Sequence, residues 1–203
     1  MIEPPAPTDG GGTALGDGSS AGGGSPTAAD VCRRALELGA SDAVVLPGAA
    51  VATAEWVRFK CRYGGCAVGR CLTCPPFSPS PDETRRLLDE YERVLLLRLD
   101  VAPRDAAGWL DHSRRLAGIA LDLERELFLS GRYRAFALAG GRPCDRDEPC
   151  GRPDDCEVRG RVRPGPAGCG IDIFATAAHA GWHLRVVRAA DDPYHLFALV
   201  LLD

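Results

Sequence analysis

Cys61, Cys66, Cys71 and Cys74 are separated by four, four and two residues, and the last runs straight into Pro75-Pro76. Cys144, Cys150 and Cys156 are separated by five and five, and Cys169 follows after twelve more. The ninth cysteine, Cys32, stands apart on a predicted helix. Thiols in bursts serve either as disulfide frameworks or as ligands for metal ions and iron–sulfur clusters. Residues 1–30 carry neither a basic start nor an apolar core of the kind a secretory signal needs. No run approaches the roughly 18 apolar residues of a membrane span. A cytoplasmic setting is therefore expected, where disulfides rarely persist, and the bursts point to metal. Cys32 reads instead as a small buried hydrophobe.

The first burst ends in Cys-Pro, as a ligating cysteine does in bacterial ferredoxins. Its spacing is not the paired Cys-x2-Cys arms of a zinc ribbon. His112, His179, His183 and His195 all lie outside the bursts and read as ordinary surface or core residues. An iron–sulfur cluster, of the four-iron type, is the leading expectation. Structural zinc is the alternative. A net charge of −4 gives no footprint for nucleic acid. No nucleophile–base pair, phosphate loop or dinucleotide fingerprint supports ordinary catalysis: Gly22-Gly23-Gly24 and Gly140-Gly141 lack the required flanks.

Residues 1–27 are rich in Gly, Ser and Pro and read as a disordered tail. Residues 28–203 read as one cysteine-rich α/β domain, a mixed sheet flanked by helices with two metal-binding loops. Ala28–Leu38 is a predicted helix stopped by Gly39. Ala43–Leu46 and Trp56–Lys60 are predicted strands, the second delivering the chain into Cys61. Ser80-Pro81-Asp82-Glu83 carries the signature of a capping box with Pro in the first turn; the helix it opens has Leu87, Leu88 and Tyr91 on one face. Val94–Leu99, apolar but for Arg98, reads as a buried strand. The longest predicted helix spans 107–130, with Trp109, Leu116, Ala120, Leu123 and Leu127 as its inner stripe. Ala135–Ala139 is a strand leading into the second burst. Residues 140–168 carry almost no large apolar residue, so a metal held by Cys144, Cys150 and Cys156 would supply the folding energy of that loop. Ile171–Ala180 is a helix, and Leu184–Val187 and Leu196–Leu202 are strands. Each burst thus follows a predicted strand and precedes a helix, whose N-terminal partial charge favours thiolates.

Beyond the tail, the chain resembles the uncharacterised cysteine-rich family of predicted metal-binding proteins, domain of unknown function 2284. The resemblance rests on Glu55-Trp56-Val57-Arg58-Phe59-Lys60-Cys61, Leu72-Thr73-Cys74-Pro75-Pro76-Phe77-Ser78-Pro79, Glu124-Arg125-Glu126-Leu127-Phe128-Leu129 and Gly170-Ile171-Asp172-Ile173-Phe174-Ala175-Thr176. It implies metal binding and no particular reaction. Cys61, Cys66 and Cys74 match the family's pattern, and Cys71 is additional to it. In the second burst Cys144, Cys150 and Cys156 are in register, while Asp147 stands where the family has a cysteine. The residues before Gly170 also depart from the usual Pro-Ser-Met-Glu-Ala. The fourth ligand of the second site is then Asp147 as an oxygen donor, Cys169 as the missing thiolate, or an iron open to substrate or water. Three functions follow: an iron–sulfur protein serving electron transfer or a partner enzyme, a zinc-bearing interaction module, or an enzyme with an open iron. The expected partner is a redox protein or enzyme, with neither nucleic acid nor membrane involved.

Overall fold

The computed structural model describes residues 25–64, 71–102, 108–141, 143–144, 156–189 and 191–203. Helix α1 spans Ala28–Glu37 and opens with a capping box. The Thr27 hydroxyl accepts from the Asp30 amide at 3.2 Å, and the Asp30 carboxylate accepts from the Thr27 amide at 3.0 Å. Thr27 is thus a working part of α1 rather than of the tail; residues 1–24 of that expected tail lie outside the described residues. Strand β1 (Asp42–Pro47) follows, then α2 (Glu55–Tyr63), α3 (Pro81–Leu88), β2 (Arg93–Val101), α4 (Trp109–Leu129), β3 (Phe136–Ala139), α5 (Ile173–His179) and β4 (Tyr194–Leu201).

The strands form one sheet in the order β1-β2-β4-β3. Leu96 lies opposite Val44 on one side and Leu199 on the other. Every pairing is antiparallel, so the α/β architecture is as expected but the sheet is not mixed. The reason is topological. β2 and β3 run the same way, joined through α4, and the last strand inserts between them and pairs antiparallel with each.

Both faces are buried at Val94–Leu97 of β2 and Ala198–Leu201 of β4, which is why Val94–Leu97 is an unbroken apolar run; beyond it Arg98 and Asp100 alternate with Leu99 and Val101. Leu95, Leu97 and Leu99 point to one face, where Val31 and Ala35 of α1 and Leu116, Ala120, Leu123 and Leu127 of α4 cover them. Val94, Leu96, Leu199 and Leu201 point to the other. There they meet Leu46, Val51, Leu88, Ile171 and the sulfur-bearing Cys169. Cys169 and the segment that carries it are laid on this second face.

Three sequence expectations change. Trp56–Lys60 belongs to α2, not to a strand. Trp, Val and Phe favour strands, yet Val57 is the only residue of α2 that is buried, and strand alternation would also bury Phe59, which is exposed. Glu55 in the first turn and Lys60 and Arg62 in the last complement the helix dipole. The first burst therefore begins inside a helix, with Cys61 on its final turn. Leu184–Val187 is not a strand either: β4 is already paired on both sides, and Val186 and Val187 are exposed. Trp109, expected on the inner stripe of α4, is 58% exposed at the helix start, while the other four stripe residues are buried. Among the described residues, no helix is long and apolar enough to cross a membrane.

Candidate metal centre

Cys71–Ser78 is a chain of tight turns. The Cys74 amide donates to the Cys71 carbonyl at 3.2 Å, and the amides of Phe77 and Ser78 both donate to the Cys74 carbonyl. Pro75 and Pro76, joined by a cis bond, bring no amide of their own to satisfy. These turns set the sulfurs of Cys71 and Cys74 3.7 Å apart. The Thr73 hydroxyl lies between them, 2.8 Å from the first and 3.5 Å from the second. Two thiolates on one tetrahedral metal, with bonds of about 2.3 Å, stand about 3.8 Å apart. The pair therefore fits joint ligation of one metal atom without rearrangement. Cys71 is buried and Cys74 half-buried.

Three segments meet around this loop. The Gly165 amide donates to the Thr73 carbonyl at 2.9 Å, and the Ser78 hydroxyl donates to the Gly168 carbonyl at 2.9 Å. A side chain at Gly168 would come within 3.0 Å of the Thr73 oxygen and 3.1 Å of Ser78 Oγ. Glycine gives this close approach without displacement; a Cβ would push the two segments apart by a few tenths of an ångström. Arg58 of α2 completes the junction. Its guanidinium donates to the carbonyls of Pro79 and of Gly168, the latter at 3.2 Å, with the Ser78 carbonyl at 3.4 Å. Cys61 follows Arg58 by three residues, on the same side of the helix.

Cys169 lies inside this junction, fully buried. Burial pushes its thiol up to about 12; a hydrogen bond with Thr84 and the positive charge of Arg58 act against this, and Cys61 adds to it. Its neighbours thus belong to α2 and α3, beneath the first burst. Cys32 packs against the core on the opposite face of the sheet, and burial again raises its thiol; this agrees with its reading as a packing residue.

The second burst is described only at its ends: Cys66 of the first burst and Asp147 and Cys150 of the second lie outside the described residues. At the entry, Gly141 has a left-handed φ of +102° and packs so closely on Ser113 that a Cβ would fall 2.9 Å from its carbonyl oxygen. Arg114 of α4 donates to the Cys144 carbonyl at 2.6 Å. At the exit, Cys156 precedes a short 3-10 turn at Arg159–Arg161, and Arg163 forms a two-point ion pair with Glu124 of α4. The same carboxylate accepts from the Ala137 amide of β3 at 2.7 Å. A side chain at Gly165 would come within 3.4 Å of both Thr73 O and Gly140 Cα, so the base of the second loop stands beside the first. Both bursts thus emerge at one place.

Sequence reasoning missed Arg58, Arg114 and the Glu124–Arg163 pair. Arg58 and Glu124 stand in the motifs that carry the family resemblance, but nothing local marks Arg58 as an inward clamp. Two of the histidines have ordinary partners: His179 Nδ1 bonds the Ala50 carbonyl, and His195 Nδ1 pairs with Asp100. No disulfide joins two cysteines among the described residues. Nor do three or more Cys, His, Asp or Glu side chains converge there as a complete metal-ligand set. The described donor set is therefore the Cys71–Cys74 pair, with Cys61 and Cys169 in the segments packed around it.

No curated protein and no solved structure gives a significant match to the chain. Residues 44–202 match the family described as Predicted metal-binding protein (DUF2284), which takes in every cysteine except Cys32, and the chain belongs to that family.

Proposed function

We propose that this protein holds a metal centre through the thiolates of its first burst, and that the centre is an iron–sulfur cluster serving electron transfer or a partner enzyme. The observation that carries metal ligation is the 3.7 Å sulfur pair of Cys71 and Cys74, already at the spacing one metal atom requires. Cys61 would contribute from the end of α2 and Cys66 from the following segment. Cys144, Cys150 and Cys156 would hold a second centre, with Asp147 or Cys169 as its fourth ligand or one position open. Iron–sulfur is favoured by donors that are nearly all sulfur and by the Cys-Pro ending. A bound cluster would supply one-electron chemistry. The chain's own part is to hold the sulfurs in fixed turns, half-shielded from water, and to keep the carbonyls behind them paired.

One observation favours a second reading. A sulfur pair sharing one metal atom also suits a structural zinc site, and in a four-iron cluster these two sulfurs would have to move apart to reach different irons. Anaerobic purification, a visible spectrum and elemental analysis separate the readings. Brown protein with iron and sulfide supports the first. Colourless protein with stoichiometric zinc supports the second. Protein that retains neither and takes up neither on reconstitution sinks both.

A further inference from the structure

We infer that Arg58 is a positioning residue of the metal centre, an inference that rests on the thiolate-metal reading above. Ser78, Pro79 and Gly168 come from two segments far apart in sequence, and their oxygens converge on one guanidinium. Such oxygens repel one another without a cation or donors between them. Guanidinium offers several donors in a rigid planar fork and keeps its charge at every relevant pH. Lysine would offer a point charge on a flexible stem.

What the fork ties together is the ligand frame. Cys74 lies four residues before Ser78, Cys169 directly follows Gly168, and Cys61 stands one helical turn beyond Arg58. α2 has few other ties to the core: Val57 is its single buried residue, while Trp56, Phe59 and Tyr63 face outward. The direction in which α2 presents Cys61 therefore depends on Arg58. The same guanidinium places a fixed positive charge beside the buried Cys169, where a thiolate-rich centre would gather negative charge.

The test is a cobalt(II) titration of the metal-stripped, reduced protein, read by thiolate-to-cobalt charge-transfer absorption. Arg58→Gln is expected to weaken cobalt binding about tenfold, within the range seen when groups that orient metal ligands are removed. Its absorption per cobalt should fall to that of Cys61→Ser. The double variant should be no worse than Cys61→Ser alone, because both changes remove the same ligand from the centre. A brace with no part in the site would instead give losses that add. Wild-type spectrum and affinity in Arg58→Gln, or additivity with Cys61→Ser, would overturn the assignment. If Arg58→Gln does not fold, Arg58→Lys carries the same cycle; full wild-type binding in that variant would equally refute the fork. If the wild type binds no cobalt, the metal reading itself fails and the role of Arg58 falls with it. Cobalt-binding wild type with an indifferent Arg58 variant removes only the role of Arg58.

Discussion

The two faces of the sheet are covered by different means. On one, α1 and α4 lie across the strands, and the contact is mainly between apolar side chains, with His112 and Ser113 buried near the start of α4. On the other, the cover is α3, α5 and two irregular segments. Here backbone meets backbone at Gly165 and Gly168, and Thr73, Ser78, Thr84 and Thr176 are buried among the apolar residues. Side-chain packing needs only area and shape. A face made of loops must also pair each buried carbonyl and amide, and Arg58, Ser78 and Thr73 meet that need. The difference teaches a division of labour: the helix-covered face sets stability, and the loop-covered face sets where sulfur is presented.

The largest expected effect tests the loop face directly. Cys74→Ser should abolish metal binding at the first burst, since hydroxyl is a poor substitute for thiolate toward soft metals. Cys32→Ser, on the helix face, should leave metal content unchanged. Elemental analysis of both variants checks this. Metal lost from the Cys32 variant and retained by the Cys74 variant would reverse the assignment of the two faces.

Next in size is a change on the helix face. Leu123 is 1% exposed in the middle of α4, and Leu123→Ala should cost about 3 kcal/mol. Urea unfolding measures the loss. Metal stoichiometry of the folded variant should match the wild type. A parallel loss of metal would show that the faces are coupled rather than divided.

Much of the helix face was legible in the sequence because its signals are local. The α4 stripe from Leu116 to Leu127 follows the helical period, and the unbroken run Val94–Leu97 of β2 announces burial on both sides. On the loop face, the Ser80–Glu83 box and Pro81 also act within one turn, and the structure keeps them. The junction was not legible. Arg58 earns its place through carbonyls at 78, 79 and 168, and no local pattern encodes a partner that distant. The strand reading of Trp56–Lys60 failed for a related reason: its aromatic residues look outward, and propensity alone does not say which side is buried. The cysteines were legible as candidate ligands by type and spacing, while their grouping depends on how the segments fold back.

Ser78→Ala sharpens the comparison at smaller scale. It removes the 2.9 Å hydrogen bond to the Gly168 carbonyl, which keeps Arg58 as a partner. The expected cost is about 1 kcal/mol in the metal-stripped protein, with faster loss of metal to a chelator. Unfolding with and without metal separates the two effects. Unchanged metal retention would show that the glycine contacts alone hold the junction.

The smallest effect belongs to the helix face and to pH. The Thr27 hydroxyl and amide, then Arg33, hold the Asp30 carboxyl down from 3.8 to about 2. Its folded value lies below its unfolded one of about 3.9. The contribution of Asp30 to stability is therefore fully present above the unfolded value and is lost as pH falls toward about 2. Thr27→Ala removes the hydroxyl side of the box, so it should lower stability slightly at neutral pH and flatten the acid limb over that window. Asp30→Asn should flatten it further, since no carboxylate remains to be protonated. Both effects should leave metal content at neutral pH untouched, because α1 covers the face away from the cysteine loops. Denaturant unfolding of the three proteins through the acid range provides the measurement. An acid limb as steep in Asp30→Asn as in the wild type would assign the acid sensitivity to carboxylates elsewhere, with Glu126, held down by its hydrogen bond from Arg34, the first place to look.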